Sequence, residues 1–297
     1  MRKNRKALKN IRLTLLFIWL LLFSCLFLAP TVLTLTNSFM SETELTSNYG
    51  AVFGNVGGGS SYISEEVNLK FIPDIVSIKQ YVTVLFQSPE YLLKFWNSVL
   101  LTVPIVLGQL LISSFAAYGF YLARSRVKNV IFFAYIILML MPYQVTLVPN
   151  FLVAEGLGIL STRWAIILPG IFTPLSVFIL TKSMRRIPTV AIEAARIDGA
   201  GELKVFFKVC LPMCAPSLYS VAILTFIDNW NMVEQVLVLL SDVEKQPLSV
   251  FLSTINSGEV GIAFAASFIY MIPPVLLFLH GEENLVEGIA HSGSVKG

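Results

Sequence analysis

Residues 193–212 read EAARIDGAGELKVFFKVCLP, and this stretch decides how the rest of the chain is read. Pro188 starts a helix ahead of it, because its missing N–H costs nothing at the first helical position. Ile192 and Ala195 fall on neighbouring positions of one helix face. Ala194 and Ala195 keep that helix thin, so its backbone can approach a partner groove. Gly199 permits a left-handed turn that a β-carbon resists, and Asp198 can cap the following segment through its side chain. Lys204 and Lys208 predict a solvated or headgroup-facing side, with Val205, Phe206 and Val209 packed against span ends. Leu211-Pro212 stops the hairpin before a long apolar run. A polar hairpin rich in small residues is poorly suited to lying in lipid and well suited to being gripped by a soluble partner.

Around this hairpin the composition is that of a membrane protein. Hydrophobic residues make up 56% and charged residues 13%, with a mean hydropathy of +0.76; soluble domains carry roughly 25% charged residues. Crossing a bilayer takes about 20 apolar residues as a helix, and six runs qualify, near 13–37, 95–121, 130–150, 164–183, 213–240 and 262–280. Lipid offers no partner for free backbone groups, so each run is helical. The predicted fold is an all-α membrane protein with six transmembrane helices and a cytoplasmic loop at 185–212.

The first run follows Arg2, Lys3, Arg5, Lys6, Lys9 and Arg12, yet its apolar core continues to Leu35. That is longer than the roughly 7–15 residues of a signal-peptide core, so it reads as an uncleaved span. With the N-terminus inside, sixteen of the 21 basic residues are cytoplasmic; Lys70, Lys79, Lys94, Arg163 and Lys245 remain outside. This bias sets the orientation. It places the Glu193 hairpin and both termini on the cytosolic side of the membrane. The organisation is then residues 1–40, N-terminus and first span; 41–90, an extracytoplasmic loop with a flexible glycine-rich middle at 54–61; 91–280, the core of spans two to six; and 281–297, a cytoplasmic tail.

Catalytic and metal-binding readings have little support. Cys210 and Cys214 lie one helical turn apart without further ligands, Cys25 is mid-span, and His280 and His291 are isolated. The sequence holds no HExxH, GxSxG or P-loop, and no complete GxGxxG. No basic patch interleaved with aromatics argues for nucleic acid. No catalytic residue and no metal site is predicted, and energy must come from another chain.

The hairpin's spacing resembles the EAA loop of the membrane subunits of ABC-type importers: Glu193-Ala194-Ala195, then Gly199, then Val209-x-Leu211-Pro212, with Val209 where the family has Ile. Asn97-Ser98, the stretch 149–169 with Leu157-Gly158-Ile159-Leu160-Ser161-Thr162, and Gly293-Ser294-Val295-Lys296-Gly297 are similar to carbohydrate-uptake members. The likeness covers about residues 70–297 and is greatest to the maltose-type subunit. It implies that Glu193, Ala194, Ala195, Asp198, Gly199 and Ala200 form a coupling segment docking on an ATPase subunit. It also implies that Ser294, Val295, Lys296 and Gly297 reach that ATPase. The implied partners are two ATPase subunits, a second permease subunit, an extracytoplasmic solute-binding protein and membrane lipid. ATP and Mg would be used by the ATPase, with no cofactor on this chain. The bland alternative for Glu193 is a favourable place near a helix N-terminus. Two stretches depart from the family pattern: the long loop 41–68, and His280-Gly281-Glu282-Glu283-Asn284, where relatives carry aromatic and basic residues.

A substrate path is suggested in the fifth run by Asp228, Asn229, Trp230 and Asn231, followed by Glu234 and Gln235. On one helix, Asp228, Asn231 and Gln235 share a face at i, i+3 and i+7. Ionisable residues at membrane depth usually face a protein interior or watery cavity. Trp230 could stack on a sugar ring while amides and the carboxylate bond hydroxyls; the alternative is polar glue between helices. Gln109, Ser113 and Gln144 are weaker candidates. The alternatives to a sugar importer subunit are an importer subunit for another solute, or a stand-alone channel or secondary carrier, which should show internal repeats.

Overall fold

The computed structural model describes residues 2–54, 69–123, 125–255 and 259–293. Residues 55–61 of the glycine-rich stretch and the tail Ser294, Val295, Lys296 and Gly297 lie outside the described residues. Among those described, structure is helical, and β-pairing is confined to a single antiparallel bridge between Met40 and Val76. Among the described residues, four helical stretches are long and apolar enough to cross a membrane: Asn10–Asn37, Pro89–Leu122, Trp164–Met184 with an interruption at 171–173, and Val260–Leu285. Two bent helix pairs also qualify, Arg126–Met139 with Tyr143–Gly156 and Glu202–Met213 with Ala215–Trp230. The chain is a multi-pass membrane protein. It divides into two units, residues 1–91 with 254–270, and 92–253 with 271–297.

The first unit contains α1 (Arg2–Asn37) and α2 (Glu42–Gly54). From Ile11 to Leu28 the apolar side chains of α1 are exposed on every side, as suits a helix surrounded by lipid. The predicted loop after it is not wholly irregular, because α2 forms at its start. The Ser41 hydroxyl accepts the Glu44 N–H at 3.3 Å, and Glu42 and Glu44 place negative charge in the first turn, which the helix dipole favours. Met40, Leu45 and Tyr49 form a small core with Phe264 against it. Polar bonds fix the chain beside this core: Asn37 Nδ2 donates to the Tyr49 hydroxyl at 2.6 Å, and Gln80 donates to the Met40 carbonyl. Asp74 N–H donates to Glu44 at 2.9 Å, and Lys70 pairs with Glu44 at 3.0 Å and with Asp74.

The second unit contains α3 (Pro89–Leu122, from Leu92 onward), α4 (Arg126–Met139), α5 (Tyr143–Gly156), α6 (Trp164–Gly170), α7 (Pro174–Met184), α8 (Thr189–Ile197), α9 (Glu202–Met213), α10 (Ala215–Trp230), α11 (Glu234–Leu239), α12 (Leu248–Ser253) and the later part of α13 (Val260–Gly293). Three predicted spans differ from their runs. The third is broken between α4 and α5 by a 103° bend, because Pro142 lacks an N–H and disfavours a helical Met141. The fifth ends at Trp230, where Asn229 and Asn231 turn their amides back to the Thr225 and Ile227 carbonyls at 2.8 and 2.9 Å, competing with the backbone ladder. The sixth does not end at His280; α13 continues to Gly293.

Small residues allow close helix contacts here. A β-carbon on Gly108 would stand 2.9 Å from Ile171, and one on Gly170 would stand 3.0 Å from Ile105. One core joins α3, α5, α6 and α11 through Leu101, Ile105, Ala154, Ile166, Val236 and Leu239. A second joins α3, α7, α8, α9 and α10 through Tyr118, Leu180, Ile192, Val205, Phe206 and Val221. Asn97 ties the loop before α12 in place. Its Nδ2 donates to the carbonyls of Glu244 and Gln246 at 2.7 and 3.1 Å, and its Oδ1 accepts from Arg163 at 2.7 Å.

Candidate functional site

The hairpin around Gly199 is two-faced. On α8, Ile192 is buried and Ala195 packs on the second core, whereas Val190, Glu193, Ala194 and Ile197 are exposed. These four stand at i, i+3, i+4 and i+7 and so form one outward stripe. Ile197 is 86% exposed and Val190 72%, an apolar pair flanking a carboxylate.

The turn that ends α8 explains Gly199. Its φ is +80°, the left-handed region that favours glycine. Its N–H bonds to the Arg196 carbonyl and the Ala200 N–H to the Ala195 carbonyl, both at 3.0 Å. This is a Schellman closure, and Ala195 and Ala200 both pack on the second core. Two local expectations change. Asp198 does not cap the next segment; it is the C-cap of α8, and Gly201 occupies the N-cap of α9. Pro188 is the residue before α8 rather than its first.

The hairpin is fastened to the core. Val205 and Phe206 of α9 are buried, and Phe206 stacks on Phe115 at 4.8 Å. Glu202 uses both carboxylate oxygens: Tyr118 donates to Oε2 at 2.6 Å, and Arg196 approaches Oε1 at 2.8 Å.

The polar residues near the end of α10 gather around a cavity of about 460 Å³. Asp228, Asn231 and Gln235 line it together with Tyr143, Gln144 and Glu234. Helical periodicity is not what brings them together, since Gln235 belongs to α11; the bend after Trp230 folds both segments around one space. Gln144 donates to Glu234 at 3.0 Å, joining α5 to α11. A second cavity, about 380 Å³, is lined by Asp228, Asn229, Gln109, Thr173, Ser176 and Thr225 among others. Asp228 therefore faces both. Gln109 donates to Ser176, and its Oε1 has no protein partner.

Trp230 departs from the stacking role. It is 1% exposed, held at 5.7 Å edge-on by Phe95 and at 5.1 Å in a stack with Phe226. Its ring is occupied by packing, so it presents no face to the cavity. The aromatic residue that does line the cavity is Tyr143.

The hairpin and both cavities fall within residues 109–280, over which the chain matches the pattern of the family described as binding-protein-dependent transport system inner membrane component. The chain belongs to this family. Among curated relatives of this inner membrane component, the arabinooligosaccharides transport system permease protein AraQ of Halalkalibacterium halodurans is 29% identical over 94% of this chain and 96% of its own. The melibiose/raffinose/stachyose import permease protein MelC of Bacillus subtilis is 30% identical over 68% and 75%, and the lactose transport system permease protein LacG of Rhizobium radiobacter is 27% identical over 71% and 78%. A chain from a bacterial ABC transporter involved in the import of the acidic polysaccharide alginate shares the fold, with a TM-score of 0.74 over 92% of this chain and 96% of that one at 22% identity.

For an inner membrane component, then, the two regions singled out in the sequence are a two-faced surface hairpin and a polar cavity. Sequence reasoning missed Val190 and Ile197, although their spacing with Glu193 and Ala194 was readable. It also missed Tyr143, which lies in another apolar run, and gave Glu234 no role, because on one continuous helix Glu234 falls off the face of Asp228, Asn231 and Gln235.

Proposed function

We propose that this chain is one of two membrane subunits of an ATP-driven importer for a sugar or oligosaccharide. The observation that carries this reading is the exposed stripe Val190, Glu193, Ala194 and Ile197 on a helix whose other face is locked into the core. Exposed apolar surface beside a fixed charge calls for a protein partner. The partner is an ATPase subunit, which meets Glu193, Ala194 and Ala195 and the turn Asp198-Gly199-Ala200. ATP and Mg are bound and used there. The tail Ser294 to Gly297 reaches the same ATPase. Six spans bring both termini to one side of the membrane, the excess of Lys and Arg supports that side being the cytoplasm, and a solute-binding protein delivers substrate from outside. Asp228, Asn229, Asn231 and Gln235, with Tyr143, Gln144 and Glu234, line the path beside the second permease subunit. Carboxylates and amides bond hydroxyls there, and Tyr143 covers an apolar sugar face. The sugar class is supported by what the relatives carry by name.

The test has two parts. Purification of the tagged chain from its native membrane should bring down an ATPase and a second permease. Deletion of the chain should abolish uptake of a sugar from a panel of arabino-oligosaccharides, lactose, raffinose and alginate oligomers. Isolation of the chain without an ATPase would remove the importer reading. Loss of uptake for only a non-sugar solute would remove the sugar.

A further inference from the structure

The Tyr118 hydroxyl lies in a position that ordinary packing does not require. Its ring already has a place in the core, 5.1 Å from Phe206 and 6.4 Å from Tyr121. The hydroxyl nevertheless reaches the Glu202 carboxylate at 2.6 Å, and the other oxygen of that carboxylate holds Arg196 at 2.8 Å. Arg196 is on α8, next to the exposed stripe; Glu202 opens α9; Tyr118 is on α3. One carboxylate therefore links three helices; the part-buried Tyr118 bond to the charged group is the stronger arm, and the half-exposed Arg196 pair is the weaker one.

The far end of this link is the cavity. Gln109 of α3 lines the 380 Å³ space that Asp228 shares. It precedes Tyr118 by nine residues, about 13 Å along a helix axis. A rigid α3 thus runs from the Glu202 carboxylate to the cavity wall.

We propose that Tyr118 is a positioning residue that, through Glu202 and Arg196, ties the docking helix α8 to α3, so that movement of α8 imposed by the ATPase reaches the cavity. This rests on the reading that α8 docks on an ATPase. The core contacts of Ile192, Val205 and Phe206 hold the hairpin on the molecule, and the polar link sets the register of α8 against α3. Coupling between sites requires such a physical element whose arrangement both ends bias.

The experiment uses the whole complex in lipid nanodiscs, with Cys25→Ser and a reporter Thr173→Cys in the second cavity, the one that Gln109 lines. Labelling of the reporter by a membrane-impermeant maleimide is measured without nucleotide and after trapping with ATP, Mg and vanadate. With the link intact, trapping should change the labelling rate several-fold. Tyr118→Phe keeps the ring and its packing and removes only the hydroxyl; it should bring the ratio of the two rates close to one while the ATPase still co-purifies. Glu202→Gln should do the same, and the double variant should be no worse than either, because both break one link. A purely structural tether would change yield or thermal stability and leave this ratio intact. An unchanged ratio in Tyr118→Phe, with ATPase bound, overturns the proposal. Absence of ATPase from the complex with the link intact overturns the docking reading, and the proposal with it.

Discussion

Gly281 packs against Ile223 so closely that a β-carbon on it would stand 2.5 Å from Cδ1. One turn further along α13, the Ser220 hydroxyl reaches the Asn284 carbonyl at 3.0 Å. The two contacts explain why a glycine followed by two carboxylates does not end the last helix. Gly281→Val should overpack this crossing and cost about 1–3 kcal/mol, read as a lower melting temperature and yield in detergent. Gly119→Ala is the control, since a β-carbon there meets nothing within 4 Å; it should be neutral or slightly stabilising. Equal behaviour of the two variants would contradict the close approach.

The last helix also shows where the sequence is legible and where it is not. Apolar runs long enough to cross a bilayer stand out by length alone, and Gly199 announces its turn because few residues adopt its φ. The ending of a helix at Gly281 depends on what lies opposite, and Ile223 is 58 positions away in the chain. The breaks after Met139 and Trp230 had local signals in Pro142 and in the asparagine pair, yet the hydropathy of the runs continues through both. Trp230 looked available because its neighbours are polar; Phe95, which fills its edge, belongs to another helix. Residue types at the cavity were readable, and their assembly across α5, α10 and α11 was not.

At Gly199 there is room for a side chain but not for its backbone conformation. Nothing lies within 4 Å of the site of a β-carbon, and φ is +80°. Gly199→Val should therefore strain the turn by about 1–2 kcal/mol without a steric clash. The chain should still insert, while uptake and co-purification of the ATPase fall. Gly199→Asn, which tolerates this region better, should retain most of both. Wild-type uptake by the valine variant would show that the turn does not set the docking geometry.

The cavity separates transport from stability. Trp230→Ala removes a ring buried between Phe95 and Phe226 and should destabilise the chain by about 3–5 kcal/mol, so assembly fails before transport can be assessed. Asp228→Asn keeps shape and should leave assembly intact. A lost hydrogen bond to a charged group is worth about 1.5–3 kcal/mol, roughly tenfold or more in uptake at limiting sugar. Uptake normalised to membrane-inserted protein distinguishes the two. Normal uptake in Asp228→Asn would make this residue a structural bond between helices.

The cap on the first unit should respond to acid. The Asp74 N–H, followed by the Lys70 contact, holds the Glu44 carboxyl below its ordinary value, and Asp74 and Glu44 push Lys70 above its own. A depressed carboxyl contributes stability that is fully present above its unfolded pKa, about 4.3, and is lost as pH falls through the lower folded value. A raised lysine contributes below its unfolded pKa and loses this as pH rises through the folded one. The segment 69–78 should thus resist proteolysis at neutral pH and open in acid. Glu44→Gln should raise cleavage at neutral pH and flatten the acid limb. An acid limb that survives in Glu44→Gln would assign it to another carboxylate.

Asn97 offers the sharpest test of the loop before α12, because its amide donates to two carbonyls while its oxygen accepts from Arg163. Asn97→Asp is nearly the same shape and reverses only the donor side. It would improve the Arg163 contact and place a carboxylate oxygen opposite the Glu244 and Gln246 carbonyls. If the two backbone bonds govern the loop, this variant should be the harmful one, losing about 1–3 kcal/mol for groups left unpaired. Arg163→Lys should cost less, since it leaves both backbone bonds in place. Cleavage between Ser241 and Pro247 by added protease, together with the melting temperature, reports the outcome. If Arg163→Lys proves the more damaging, the guanidinium and not the asparagine amide holds this loop.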